Sequence, residues 1–123
     1  CSSSLRYKEN VAAYTSGLDL LRRLRPVSFN WIDGGMLDLG LVAEDVAAIE
    51  PLLTIYNDKG EVEGVKYDRI GVVLVNAVKE QQKQIDGQRA EIEELRRRLS
   101  LIDELRRLVC KTTPAAELCE EKK

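Results

Sequence analysis

The sequence predicts an α+β fold: a small head of short helices and β-hairpin strands, followed by one long C-terminal helix. Three observations carry this. From Asp68 there is no proline until Pro114, and within that stretch apolar residues recur at alternating steps of four and three. Asn57-Asp58-Lys59-Gly60 supplies turn geometry between two β-branched arms. Pro26 separates a leucine-rich helical segment from an alternating Val27, Phe29, Trp31. With 123 residues and 44% apolar content, the chain supports one modest core plus an element that extends beyond it. The expected division is a head over 1–67, a coiled-coil helix over 68–110, and a tail over 111–123 with room for a short return helix.

Within the head, Leu18, Leu20, Leu21 and Leu24 give one apolar helical face, with Asn10 or Ser16 available as its cap. Val27, Phe29 and Trp31 predict a strand with its aromatic face inward, and Asp33-Gly34-Gly35 a turn. Leu39 to Ala43 reads as a buried strand, and Val46, Ala47 and Ile49 as a helical turn that Pro51 ends. Leu52–Tyr56 and Val62–Tyr67 are the arms of the hairpin.

A helix of some 40 residues, at about 1.5 Å per residue, reaches roughly 60 Å. A domain this small cannot bury it. Leu74, Val78, Gln81, Ile85, Gln88, Ile92, Leu95, Leu99 and Ile102 follow the heptad rule for a coiled-coil seam. Beyond them Arg106 falls on the seam and Leu105 and Leu108 beside it, which predicts a register shift or splaying. Ile92 before Leu95 suits dimers and Leu99 before Ile102 suits larger bundles, so the seam leaves strand number open. The alternative is an intramolecular return, for which Thr113-Pro114 is a suitable cap and first turn.

The 19 basic and 21 acidic residues give no net field to draw nucleic acid or anionic membrane. Arg96, Arg97, Arg98, Arg106 and Arg107 alternate with Glu91, Glu93, Glu94 and Glu104, as on the solvated flanks of a coiled coil rather than on a DNA-binding face. No apolar run approaches the roughly 20 residues that span a bilayer. Neither a nucleic-acid nor a membrane partner is expected. Cys1, Cys110 and Cys119 lack the close spacing of a zinc site and do not suggest a disulfide scaffold. Cys1-Ser2-Ser3-Ser4 is similar to a mature bacterial lipoprotein terminus, whose signal would lie upstream. The chain has no histidine, which excludes Ser-His-Asp and Cys-His catalysis and every histidine-ligated metal. No cofactor or metal is expected.

Any nucleophilic chemistry must therefore use lysine or a carboxylate as base. Ser3-Ser4-Leu5-Arg6-Tyr7-Lys8 holds the one arrangement that merits a mechanism. A lysine can take a serine proton only when its amine is neutral, and lowering a lysine pKa from about 10.4 to near 7 requires roughly 4 to 5 kcal/mol of burial or nearby positive charge. Arg6 supplies charge; subunit packing would supply burial. Taken alone, a serine five residues from a lysine also fits a solvated linker.

The wider sequence adds weight. Ser3, Arg6, Lys8, Asn10 and Val11 match a Ser-Asp-x-Arg-x-Lys-x-Asn-hydrophobic opening. Leu24-Arg25-Pro26-Val27-Ser28-Phe29-Asn30-Trp31 matches a Leu-x-Pro-Val-x-Phe-x-Trp strand. Gly40-Leu41-Val42-Ala43-Glu44-Asp45-Val46, Pro51, Tyr67 and Ala77-Val78-Lys79-Glu80 follow in order. Over residues 3–105 this series resembles the C-terminal intramolecular chaperone domains of phage endosialidases, tailspikes and tail fibres, to which a domain of myelin regulatory factor is related. Ser4 stands where that family has Asp, and Glu44 where it has Gln. The resemblance implies a homotrimer that assists folding of an upstream fibre or tailspike segment of the same precursor. It also implies single-turnover cleavage in cis beside Ser3, with Ser3 the nucleophile, Lys8 the general base, and Asn10 and Arg6 in support. The setting would be the host cytoplasm during virion assembly or, alternatively, a bacterial surface protein. The second functional reading keeps the fold without the chemistry, as a non-cleaving trimerisation or surface-anchoring module.

Overall fold

The computed structural model describes residues 2–120. It is α+β, in the order α1 (Leu18–Arg23), β1 (Val27–Asn30), β2 (Leu37–Gly40), α2 (Ala43–Ile49), β3 (Thr54–Tyr56), β4 (Val62–Val65) and α3 (Tyr67–Thr112). Two antiparallel ribbons, β1–β2 and β3–β4, are the sheet content. The chain divides into two compact units, Cys1–Gln81 and Gln82–Lys123. Cys1 and residues 121–123 lie outside the described residues, so the lipoprotein-like terminus and the last residues of the tail are not seen.

The core of the first unit draws on almost every element: Leu20 from α1, Val46 from α2, Leu53 before β3, and Val73 and Ala77 from α3 are buried. Tyr14, Leu24, Leu41, Ile49, Val65 and Ile70 pack around it. Burying each of the larger aliphatic side chains contributes about 1.5 to 3 kcal/mol. Thr54 is buried among them and is satisfied, because its hydroxyl donates to the Pro51 carbonyl at 2.6 Å.

Neither Asn10 nor Ser16 caps α1. The N-cap is Gly17, which has no side chain to offer, and Glu80 of α3 takes the role: its Oε2 accepts from Leu18 N at 3.3 Å. The residues just ahead of α1 are held against α3 by Asn76, so the acceptor comes from the neighbouring helix.

In the β1–β2 ribbon Val27 pairs with Gly40 and Asn30 with Leu37. Gly34 (φ 84) and Gly35 (φ 69) make its turn. The expected buried strand over Leu39–Ala43 is corrected: β2 begins at Leu37, Leu39 is 79% exposed, and Ala43 already belongs to α2. The inward aromatic face is corrected too. Phe29 is half-buried and Trp31 is 50% exposed, the two rings meeting edge-to-face at 5.0 Å. The alternation itself holds, with Val27 and Phe29 half-buried and Ser28 and Asn30 exposed, but a two-stranded ribbon has no second sheet to complete the burial.

The second hairpin is shorter than its apolar arms, because Pro51–Leu53 forms a 3₁₀ turn before β3. Asn57 Oδ1 organises the loop by accepting from Lys59 N at 3.0 Å and Glu61 N at 2.9 Å, and Gly60 adopts φ 78. Tyr67 then opens α3. Its hydroxyl accepts from Leu41 N at 2.9 Å, and a Cβ placed on Gly40 would stand 2.7 Å from that oxygen.

The second unit is the remainder of α3 and the tail. Glu94 pairs with Arg97 at 3.2 Å and Arg98 at 3.3 Å along the exposed helix. The return element is not an α-helix: Ala116 N donates to Thr113 O at 3.1 Å around Pro114, and a single 3₁₀ turn, Glu117–Cys119, follows. That reversal brings Cys119 to Cys110, and the two form a disulfide with Cα atoms 5.6 Å apart. In the sequence the three cysteines suggested no disulfide scaffold, and this one pair was not anticipated there; the turn at Pro114 makes it meet. Arg106 also faces the tail, its Nε donating to Leu118 O at 2.9 Å.

Two outcomes follow. Gly40→Ala, which pushes a methyl group against Tyr67, is expected to destabilise the chain by about 1 to 3 kcal/mol in urea unfolding; an unchanged midpoint would contradict the packing. Asp38 accepts from Leu39 N at 2.8 Å and from Trp31 Nε1 at 3.1 Å. These bonds, the backbone one first, hold its carboxyl below the usual Asp value. A depressed carboxylate pKa contributes stability above the unfolded value and loses it as pH falls through the folded one. Acid titration of the emission of Trp31, the single tryptophan, should therefore show a midpoint below the ordinary Asp range, absent in Asp38→Asn.

Candidate functional site

Ser3 and Lys8 are brought together by local backbone. Leu5–Tyr7 forms a 3₁₀ turn whose N-cap is Ser4, with Ser4 Oγ accepting from Arg6 N at 3.4 Å. Ser4, which stands where the resembling family has Asp, caps this turn, and serine and aspartate have about equal capping preference. Tyr7 N donates to Ser4 O at 3.1 Å and Lys8 N to Leu5 O at 3.0 Å. The turn folds the chain so that Lys8 Nζ donates to Ser3 Oγ at 2.8 Å. Chemically, that spacing permits a proton to pass between hydroxyl and amine. Both side chains are exposed, as are Leu5, Tyr7 and Val11 around them.

Arg6 and Asn10 flank the pair in different ways. Arg6 lays its guanidinium over the Tyr7 ring, 4.8 Å from the centroid. Asn10 has φ 54, the one positive φ at a described non-glycine residue, in the left-handed region that asparagine tolerates better than most. It contributes a backbone bend where the turn passes into the extended segment.

That segment is fastened to α3. Asn76 Nδ2 donates to the carbonyls of Tyr14 at 2.7 Å and Ser16 at 3.0 Å. Four residues on, Glu80 accepts from Leu18 N. Between them lies buried Ala77, and Gly17 passes so close that a Cβ on it would overlap the Glu80 carboxylate. On its other side Tyr14 Oη donates to Glu50 Oε2 at 2.9 Å. Burial pushes the Tyr14 phenol up, with Glu50 reinforcing and Ser16 opposing the shift. Glu80 stood in the sequence as part of Ala77-Val78-Lys79-Glu80 without a role, and Asn76 was not singled out. Their spacing of four, off the apolar seam, was the available signal.

The seam residues are exposed in this single chain. Leu74, Val78, Ile85, Ile92, Leu95, Leu99 and Ile102 retain 41–60% of their accessibility, and Gln81 and Gln88 are likewise exposed. Elsewhere, Phe29, Leu41, Val65 and Tyr67, with Asp38, Glu44 and Glu63, line an open groove of about 530 Å³ that holds no nucleophile–base pair. Among the described residues no group of His, Cys, Asp and Glu could hold a metal ion, and no helix is long and apolar enough to cross a membrane.

Residues 3–55 match the family model described as chaperone of endosialidase. Over that stretch the resemblance read from the sequence is shown, and with it a chaperone-like role. No curated protein matches the chain.

Proposed function

We propose that this chain, a chaperone of the endosialidase type, assembles as a homotrimer through α3. In that state it aligns an upstream fibre or tailspike segment of its own precursor, and it then separates by one cleavage in cis. The observation that carries the cleavage is the Ser3–Lys8 contact at 2.8 Å on a capped turn. Ser3 Oγ attacks the carbonyl carbon of the Ser2–Ser3 peptide bond while its proton passes to Lys8 Nζ. The C–N bond breaks, the Ser3 amine takes up the proton, and water hydrolyses the resulting ester.

The lysine must be neutral for this, and an amine exposed to water is protonated at neutral pH. Exposed Leu5, Tyr7 and Val11 offer an apolar surround on which a neighbouring subunit can close, excluding water from Lys8. Cleavage then waits for assembly. Association itself is supported by the uncovered apolar positions of α3, each contributing about 1.5 to 3 kcal/mol once buried.

Intertwined β-rich fibres are dominated by non-local contacts and fold slowly, exposing unpaired edges on the way. Holding three chains together at a common C-terminus raises the effective concentration of their upstream strands to as much as about millimolar. During assembly in a reducing host cytoplasm Cys110 and Cys119 would be thiols, and the disulfide would form after release into an oxidising medium. The exposure of Lys8 in the single chain favours, as the second reading, a trimerisation or surface-anchoring module that does not cleave.

Mass spectrometry of a precursor carrying an upstream segment separates the readings. The expected product begins at Ser3, and Ser3→Ala and Lys8→Ala should slow its appearance by roughly 10²- to 10⁴-fold; equal cleavage in all three rejects the dyad, and an intact wild-type precursor leaves the non-cleaving module. In sedimentation equilibrium the wild-type chain should run as a trimer. Leu95→Ala should weaken association by about 2 to 5 kcal/mol per subunit, whereas a monomeric wild type rejects both readings.

A further inference from the structure

We infer that Asn76 and Glu80 are positioning residues for this self-cleavage, forming a latch on α3 that sets where the Ser3–Lys8 turn sits. The inference rests on the processing reading above and adds the means by which helix assembly reaches the dyad.

The hydrogen bonds of residues 3–8 all close within the turn itself among the described residues. Nothing in those bonds fixes the turn against the rest of the head. Its placement is inherited through the intervening residues Glu9–Ala13, with their bend at Asn10, from the next anchored point, Tyr14–Leu18. That point is held by α3: Asn76 grips the carbonyls of Tyr14 and Ser16, and Glu80 takes the Leu18 amide. Side chains four apart share a helix face only while the intervening turn is helical. Unwinding at 76–80 would part the two grips and release the arm. Leu74, Val78 and Gln81, interleaved with these residues, are exposed and belong to the predicted seam. Covering them with another chain holds the same helical turns in place. Assembly of α3 thus tightens the latch, and the latch presents the dyad.

The contact geometry is demanding. A Cβ on Gly17 would also stand 3.1 Å from the Ala77 backbone nitrogen, so a side chain there would crowd the backbone of α3 as well as the Glu80 carboxylate. The carboxylate of Glu80 accepts from the first amide of α1, a charge-assisted bond at a helix start.

The test uses the precursor with its upstream segment. Cleavage is followed by mass spectrometry, trimer by sedimentation, and amide exchange at Leu18 in a Ser3→Ala background. Glu80→Ala should speed exchange at Leu18 and slow cleavage about 10- to 100-fold, the weight of one charge-assisted hydrogen bond, with the trimer retained. Glu80→Gln, which keeps a carbonyl acceptor, should recover most of the rate; a merely structural loss of core packing would not be rescued in this way. Asn76→Ala should resemble Glu80→Ala. A precursor that cuts normally with Glu80→Ala, or a Leu18 amide equally protected without the carboxylate, overturns the latch while leaving the processing reading intact. An uncut wild-type precursor overturns the processing reading and this role with it.

Discussion

The structure of the head depends on how the first turns of α3 are packed. Val73 and Ala77 are buried there, and Glu80 continues the same stripe at the helical spacing of four and three. The arm ahead of α1, α1 itself and the loops around α2 are all fastened to or packed around this stripe, directly or through Tyr14 and Glu50. One residue along, about 100° around the helix, Leu74, Val78 and Gln81 form an exposed stripe. A single helix therefore presents a committed face and an available one. The core is too small for the head to be indifferent to either, since removing α3 would remove two of its buried side chains.

Legibility in the sequence followed the range of the interactions. The long helix, the Asn57–Gly60 hairpin, the Gly34-Gly35 turn and the stop at Pro26 were read correctly because each is specified within a few residues. The capping of α1 was not, because its acceptor lies 62 residues away on another helix and a local search finds only Asn10 and Ser16. The Cys110–Cys119 pair was missed for a related reason: nine residues of separation say nothing until the chain reverses at Pro114. The burial of β2 was misjudged because a short apolar run reads the same whether or not anything covers it, and a lone ribbon has nothing to put on its face.

The Ser3–Lys8 pair sits between these cases. A spacing of five is uninformative by itself, yet the 3₁₀ turn that Ser4 caps is enough to bring the two side chains within hydrogen-bond distance. The geometry is local, while the chemistry is not, because a neutral amine needs a dry surround that this stretch of chain does not supply for itself. The order of motifs across residues 3–105 was what raised the pair above a linker, and the family match over residues 3–55 rests on the same stretch.

In the proposed reading an exposed base, a liability in an enzyme that must turn over, suits a reaction meant to happen once and late. If the dyad were dry in the monomer, the chaperone would separate before its upstream strands had been aligned, and the trimer would be lost when it was needed. On the same proposal, placing the missing desolvation in a neighbouring chain would tie the cut to association. If the proposed cut is made, the upstream fibre would no longer have the chaperone's folding route available in reverse, and its persistence would be governed by its unfolding barrier rather than by equilibrium. In that reading a small core and an uncovered helix suit a head that works in company.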